Sequence, residues 1–324
     1  MSQFLPYSAS DGESSNSPPT VAPAKSMMPL RSAKMWSLHG LSCATMLRNV
    51  WRGMVADRLF DRAASLAFYF FFALFPALFS ASSLLGLAAK SAVQIYDHLL
   101  HYMVLVIPAT ALGAVVNTFN QTAAAATPGK VTFGLIFAIW SGSVGVSAIQ
   151  DALNVVYKIN DSRSYLRARL YAIGLTIFLS GLVTLGLSSM LGADFIAGHV
   201  RRSIPYVVFA AISSFLIRLI GWAIAAGLLS LCFAAVYFWA PDRKTGQWRW
   251  LTPGGLIGIC AWLLGSLGLR IYLHFFNSYN ITYGSLGAVI ILLTWFYITG
   301  LMLLVGAECN VQLELAAASE DGCQ

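Results

Sequence analysis

The side chains able to do chemistry in this chain gather in two places. Asp151, Asn154 and Tyr157 stand at i, i+3 and i+6, a spacing that traces one side of a helix, and Glu308 is followed closely by Asn310 and Gln312. A carboxylate, an amide and a phenol along one helix side can line a polar mouth, with Asp151 or Glu308 pairing Arg62 or a substrate. The plainer reading of Glu308 is a carboxylate at a helix exit, wetted by headgroups and cytosol, where its charge costs little. The second place is the segment holding Arg270, Asn277, Asn280 and Tyr283. Its NSYNITYGS run has the residues of a tight turn with Tyr283 as an aromatic anchor; the alternative is a loop whose Arg270 faces an anionic headgroup.

Other chemistries lack their residues. The five histidines (His39, His98, His101, His199, His274) form no HxH or HExxH spacing, and the five cysteines form no CxxC. Neither a zinc site nor a disulfide framework is expected, and the metal set is read as empty. No GxxxxGK[ST] cradles a nucleotide and no GxSxG presents an acyl-transfer serine. The chain is read as a non-enzyme with no cofactor.

What must position the two polar groups is a set of long apolar runs. Residues 63–89 contain no Asp, Glu, Lys, Arg or His, and comparable runs cover 131–149, 170–191, 219–240, 251–269 and 283–307. At about 1.5 Å per residue, each can cross a hydrocarbon core of about 30 Å as a helix. The fold class is therefore all-α: a polytopic membrane protein with six transmembrane helices. Composition agrees, with 58% hydrophobic and only 10% charged residues, whereas soluble domains carry about 25% charged. The net charge of +7 sits at the ends of the runs rather than in one dense stripe, so no nucleic-acid partner is expected. Of the twenty Lys and Arg, fourteen fall in the N-terminal segment and even-numbered connections, and six in the odd-numbered ones. That asymmetry predicts both termini inside.

The remaining segments divide by pattern. Residues 1–35 are Ser- and Pro-rich and are expected to be a disordered cytoplasmic tail; no apolar stretch of signal-peptide kind precedes residue 63. Over 36–62, Leu47, Val50, Trp51 and Met54 recur at helical spacing beside Arg48, Arg52 and Arg58, as in an amphipathic helix lying on the cytoplasmic membrane surface. Residues 63–314 form the six-helix membrane domain and 315–324 a short cytoplasmic tail. Two short apolar runs, Tyr102–Val116 with Pro108 inside and Ile204–Ile217 ahead of Arg218, are read as helices on the outside face or half buried there. Pro76 is expected to kink the first span. Ser141-xxx-Gly145 and Gly254-xxx-Gly258 have the spacing of close helix packing.

Three stretches carry a family likeness: DRLFDRAASLAFYFFFALFPALF (Asp57–Phe79), IWSGSVGVSAIQDALNVVYKINDSR (Ile139–Arg163), and the run from Pro253 to Glu314 with its YGSLGAVI and GAE elements. In this order and spacing, the chain resembles the YihY/virulence factor BrkB family of bacterial inner-membrane proteins across about 57–314. The resemblance implies a multi-pass protein of the inner membrane, whose activity the family leaves unassigned. An older family label, ribonuclease BN, finds no clustered ligands here. Proton-coupled pumps place carboxylates mid-membrane, and these spans have none, which favours a handler of lipids or other amphiphiles. The expected function is a transporter or lipid-translocating protein for envelope maintenance, with membrane lipids as partners. The alternative is a non-catalytic scaffold for envelope integrity, and a tRNA-processing ribonuclease is the least favoured reading.

Overall fold

The computed structural model describes residues 42–87, 113, 117, 128–203, 206–243, 250, 252–275 and 285–321. Among them every regular element is a helix: α1 (Cys43–Ala56), α2 (Leu59–Leu87), α3 (Pro128–Val156), α4 (Tyr165–Ser203), α5 (Val207–Trp239), α6 (Pro253–Phe275) and α7 (Ser285–Asp321). The helices α2 to α7 answer the six predicted runs, and each is long and apolar enough to cross a membrane. Residues 1–41, the run Tyr102–Val116 (Gly113 apart), and Asn280 and Tyr283 lie outside the described residues.

Helix α7 is the hub, packing against α1, α2, α3 and α6. Helix α2 lies along α3, and α3 joins the bundle to the hairpin of α4 and α5, which pair over the greatest length. At 39 and 33 residues, these two helices run about 58 and 50 Å, well beyond one hydrocarbon thickness. The stretch 204–217, expected to form a helix of its own, instead belongs from Val207 onward to the helix that runs unbroken to Trp239. Arg218 does not break it because its charge is met: Nε lies 3.0 Å from Asp194 Oδ1 on α4.

Close packing follows small residues. A methyl at Gly254 would overlap the Gly306 carbonyl oxygen and the Asn310 side chain, and one at Gly258 would press on Tyr237 and the Met302 carbonyl. The backbones of α6 and α7 therefore touch, as the Gly254-xxx-Gly258 spacing predicts. Trp262 Nε1 donates to Thr299 Oγ1 at 3.0 Å further along the same seam. Pro76 sits inside α2 without ending it.

The fully buried residues concentrate at one end of the bundle. Leu59, Ala63, Leu66, Leu153, Val156, Leu304 and Val311 form one core there, and α1 adds Val50 and Met54 to it. Helix α1 therefore divides the stripe expected to face lipid: Val50 and Met54 turn into the protein, while Leu47 and Trp51 stay exposed with Val55. This end of the bundle also holds the polar groups.

Candidate functional site: a polar layer at the α1 end

The layer is assembled where six helix ends meet. Helix α1 stops at Asp57, and Arg58 takes a left-handed φ of 54°; α3 stops at Tyr157, and Lys158 does the same at 55°. These turns bring Lys158 Nζ onto Asp57 Oδ1 as an ion pair, the aspartate side chain being 6% exposed and the lysine 54%. Asp57 also presents its carbonyl to Arg62 Nε at 3.1 Å, which places a guanidinium at the negative end of α1.

Directly beneath α1 lies Glu308. Only 2% of it is exposed, and a methyl at Gly53 would overlap its carboxylate. Only glycine lets α1 approach this closely. Gln312 Nε2 donates to Glu308 Oε1 at 2.7 Å, while Oε2 has no hydrogen-bond partner among the described residues. The expectation of a wetted carboxylate at a helix exit is thus overturned. Position along α7 does put Glu308 near the end, but α1 folds over it, which no count of residues along one helix could reveal.

Asn154 and Asn310 serve as clamps. Asn154 Nδ2 donates to Asp161 Oδ2 at 3.0 Å, and its Oδ1 accepts the Asp242 N–H at 2.9 Å, tying the α3–α4 connection to the end of α5. Arg163 joins the same knot through Asp161 at 2.8 Å and the Ala240 carbonyl at 3.2 Å. Asn310 Oδ1 accepts the Gly254 N–H at 2.9 Å while Thr252 Oγ1 accepts that of Gly255 at 3.0 Å, so the first orphan donors of α6 are satisfied. Tyr157 is 4% exposed and stacks beneath Arg243, whose guanidinium carbon is 4.6 Å from the ring centroid and whose Nη2 reaches Glu314 at 2.7 Å. Burial pushes the Tyr157 phenol well above its ordinary value, so it stays a neutral group.

The knot has a pH signature. The side-chain bond from Arg163 holds Asp161 below its ordinary 3.8. Burial opposes the same shift at Asp242, but Ser162, bonding through both hydroxyl and N–H, and Arg163 carry it below its ordinary value as well. Groups depressed in the folded state add stability above the unfolded carboxylate value and lose it as pH falls through the folded one. The melting temperature of the purified protein is therefore expected to hold steady from about pH 7 to 5 and to drop below about pH 4. Asp161→Asn should flatten that acid limb; an unchanged limb would show that these carboxylates contribute nothing to it.

Asp151 points elsewhere. It is exposed, makes no ion pair with another described residue, and lines a half-open pocket of about 290 Å³ between α2 and α3. Arg62, Ser65, Tyr69 and Ser147 share that lining with Leu66, Val144 and Ala148. Just beyond Ser147 is Arg169, which donates to its Oγ at 3.3 Å and stacks over Trp140 at 4.4 Å. Exposed rings stand along the same two helices: Phe68, whose ring centroid is 5.9 Å from that of Tyr69, and Phe72 on α2, with Phe137 and Trp140 on α3.

The predicted site residues thus separate. Asp151 and Arg62 meet in the pocket; Asn154, Tyr157 and Asn310 are structural ties; Glu308 is sealed under α1. Arg270 is sixteen positions past Gly254 on α6, about 24 Å toward the opposite end. Asp57, Lys158, Arg163, Asp242 and Arg243 took no site role from sequence. They stand in the DRLFDR and NVVYKINDSR segments and after the fourth span, but nothing in their local spacing says that these segments touch. Among the described residues, no three His, Cys, Asp or Glu side chains converge as metal ligands would.

Comparison with known proteins agrees with this architecture. The family model described as "Virulence factor BrkB" matches residues 50–323. A ribonuclease-like protein of Bacillus subtilis (strain 168), YfkH, is 30% identical over 78% of this chain and 89% of its own length. The UPF0761 membrane protein Smlt0865 of Stenotrophomonas maltophilia (strain K279a) is 26% identical over 88% of this chain. Bxeno_A3061 of Paraburkholderia xenovorans (strain LB400), also a UPF0761 membrane protein, is 26% identical over 78%. The chain spans only 65% and 56% of the last two relatives' length. No solved structure matches it.

Proposed function

The chain belongs to the virulence factor BrkB family and is a multi-pass protein of the bacterial inner membrane, and from that premise we propose that it moves lipid-like amphiphiles between leaflets. The observation that carries this reading is the α2/α3 pocket. It sets Arg62, Asp151 and three hydroxyls beside exposed aromatic rings at the end of two membrane helices. A polar cradle at headgroup depth, continuous with an apolar helix face, suits a molecule whose tail never leaves hydrocarbon. The α1 end is assigned to the cytoplasm on the excess of Lys and Arg in the segments it carries, so the pocket is the cytoplasmic entrance. Arg270 marks the far end of the path. The ribonuclease-like name is that of the Bacillus relative, and no hydrolytic role is proposed here.

Proteoliposomes test it. Protein reconstituted with fluorescent phospholipids and an external quencher should scramble them faster than empty vesicles. Asp151→Asn and Arg62→Gln should each slow the rate about tenfold, the cost of roughly one charged contact. Folded protein that moves none of several lipids would sink the proposal and favour the scaffold, which needs no path.

A further inference from the structure

The pocket also specifies what it takes. We infer that it selects a glycerophospholipid headgroup bearing both a phosphate and a primary ammonium, the phosphate at Arg62 and the ammonium at Asp151. This rests on the amphiphile reading above and names the substrate class of the same site.

The charges are the first argument. Arg62 and Asp151 line one pocket without forming an ion pair with each other. Arg62 is held by the Asp57 carbonyl through Nε, which leaves its terminal nitrogens for another acceptor. Asp151 has no hydrogen bond or ion pair to another described residue, although its carboxylate feels Arg62, Asp161 and Arg163. A purely anionic headgroup would bring its charge against Asp151, and a cation alone would meet Arg62 with Arg169 close behind Ser147. A zwitterion satisfies both groups and leaves the pocket neutral.

Hydrogen-bonding capacity is the second argument. The Ser65 and Ser147 hydroxyls donate to the Asp61 and Ser143 carbonyls, so the donors left for the oxygens of a phosphodiester are the Arg62 terminal nitrogens and the Tyr69 hydroxyl. Acceptors for an N–H are the Ser65 and Ser147 oxygens and, as the one charged group among them, the Asp151 carboxylate. A primary ammonium can donate to it, whereas a quaternary one cannot. The third argument is size: about 290 Å³ falls at the small end of ligand pockets. That room holds a headgroup and leaves the acyl chains to lie along Phe68, Phe72, Phe137 and Trp140, all exposed on the same two helices.

The test measures binding apart from transport. Full-length protein in detergent is titrated with phosphatidylethanolamine, phosphatidylcholine and phosphatidylglycerol, and with soluble glycerophosphoethanolamine, by native mass spectrometry and thermal shift. Phosphatidylethanolamine should bind about tenfold tighter than the other two lipids, the worth of one charge-assisted hydrogen bond. Asp151→Asn should abolish that preference while keeping binding of all three, and Arg62→Gln should weaken all three together. Ser65→Phe, at an exposed position of the pocket wall, should remove lipid-induced stabilisation with the lipid-free melting temperature little changed, separating site loss from unfolding. A preference for phosphatidylglycerol, or a phosphatidylethanolamine preference that survives Asp151→Asn, would overturn the inference. So would soluble glycerophosphoethanolamine binding as tightly as the lipid. Run beside the vesicle assay, the two claims separate: selective binding without scrambling sinks translocation alone, and scrambling without headgroup preference sinks this assignment alone.

Discussion

Arg163→Ala is expected to destabilise the folded protein by about 3 kcal/mol, at the lower edge of what breaking a buried ion pair costs. Its side chain is 8% exposed and bonds twice into Asp161, reaches Asp242 at 3.8 Å and donates to the Ala240 carbonyl. Removing it leaves two carboxylates facing each other across the junction of α3, α4 and α5. The figure is placed low because Asp161 and Asp242 keep side-chain exposures of 28% and 16%, so water recovers part of the loss. Arg163→Lys should fall between parent and alanine variant, since an ammonium cannot reproduce the two-pronged contact. Unfolding of the detergent-solubilised protein, followed by heat or denaturant, measures both. An alanine variant within about 0.5 kcal/mol of the parent, the range of an ordinary surface change, would show that the knot does not hold the bundle.

A second large effect is expected at Gly254. An alanine methyl there collides with the Gly306 carbonyl and Asn310, and a backbone atom of a packed helix has nowhere to go. Helices α6 and α7 would have to part, stretching the Asn310 bond to the Gly254 N–H. Overpacking of this kind costs typically 1–3 kcal/mol and more where the backbone is the obstacle, so about 3 kcal/mol is expected. The same helix supplies its own control. Gly268 is exposed and a methyl there meets nothing within 4 Å, so Gly268→Ala should be neutral or stabilise by up to about 1 kcal/mol. Melting temperatures of the two variants should move apart; both variants melting at or above the parent would mean that helix propensity, not the seam, governs α6.

These two positions show how unevenly the structure was legible. Gly254-xxx-Gly258 announces a close contact by spacing alone, because small residues four apart on a helix make one groove. Arg163 announces nothing: in a sequence it is one of several basic residues in a connection, and positive-inside counting accounts for it fully. Its partner Asp242 lies beyond two whole spans. Ile204–Ile217 misled for a related reason, since the arginine that seemed to end the run is neutralised by Asp194 on the neighbouring helix, a pairing that only the α4–α5 hairpin creates.

By itself the sequence determined the solvent, the six membrane helices, the family and the residue types available for chemistry. These follow from local rules: uncharged runs about as long as a bilayer is thick must be helical because lipid offers backbone groups no other partner. The tertiary structure decided which polar groups meet. It buried Glu308 under Gly53, turned Asn154 and Asn310 into clamps, and left Asp151 with Arg62 in an open pocket. The reason is geometric: residues a turn apart on one helix share a side by periodicity, but which neighbour each side meets depends on how separate helices pack. Asp151 and Asn154 are three positions apart and face different worlds, and that difference appears only when α2, α5 and the α3–α4 connection stand in place.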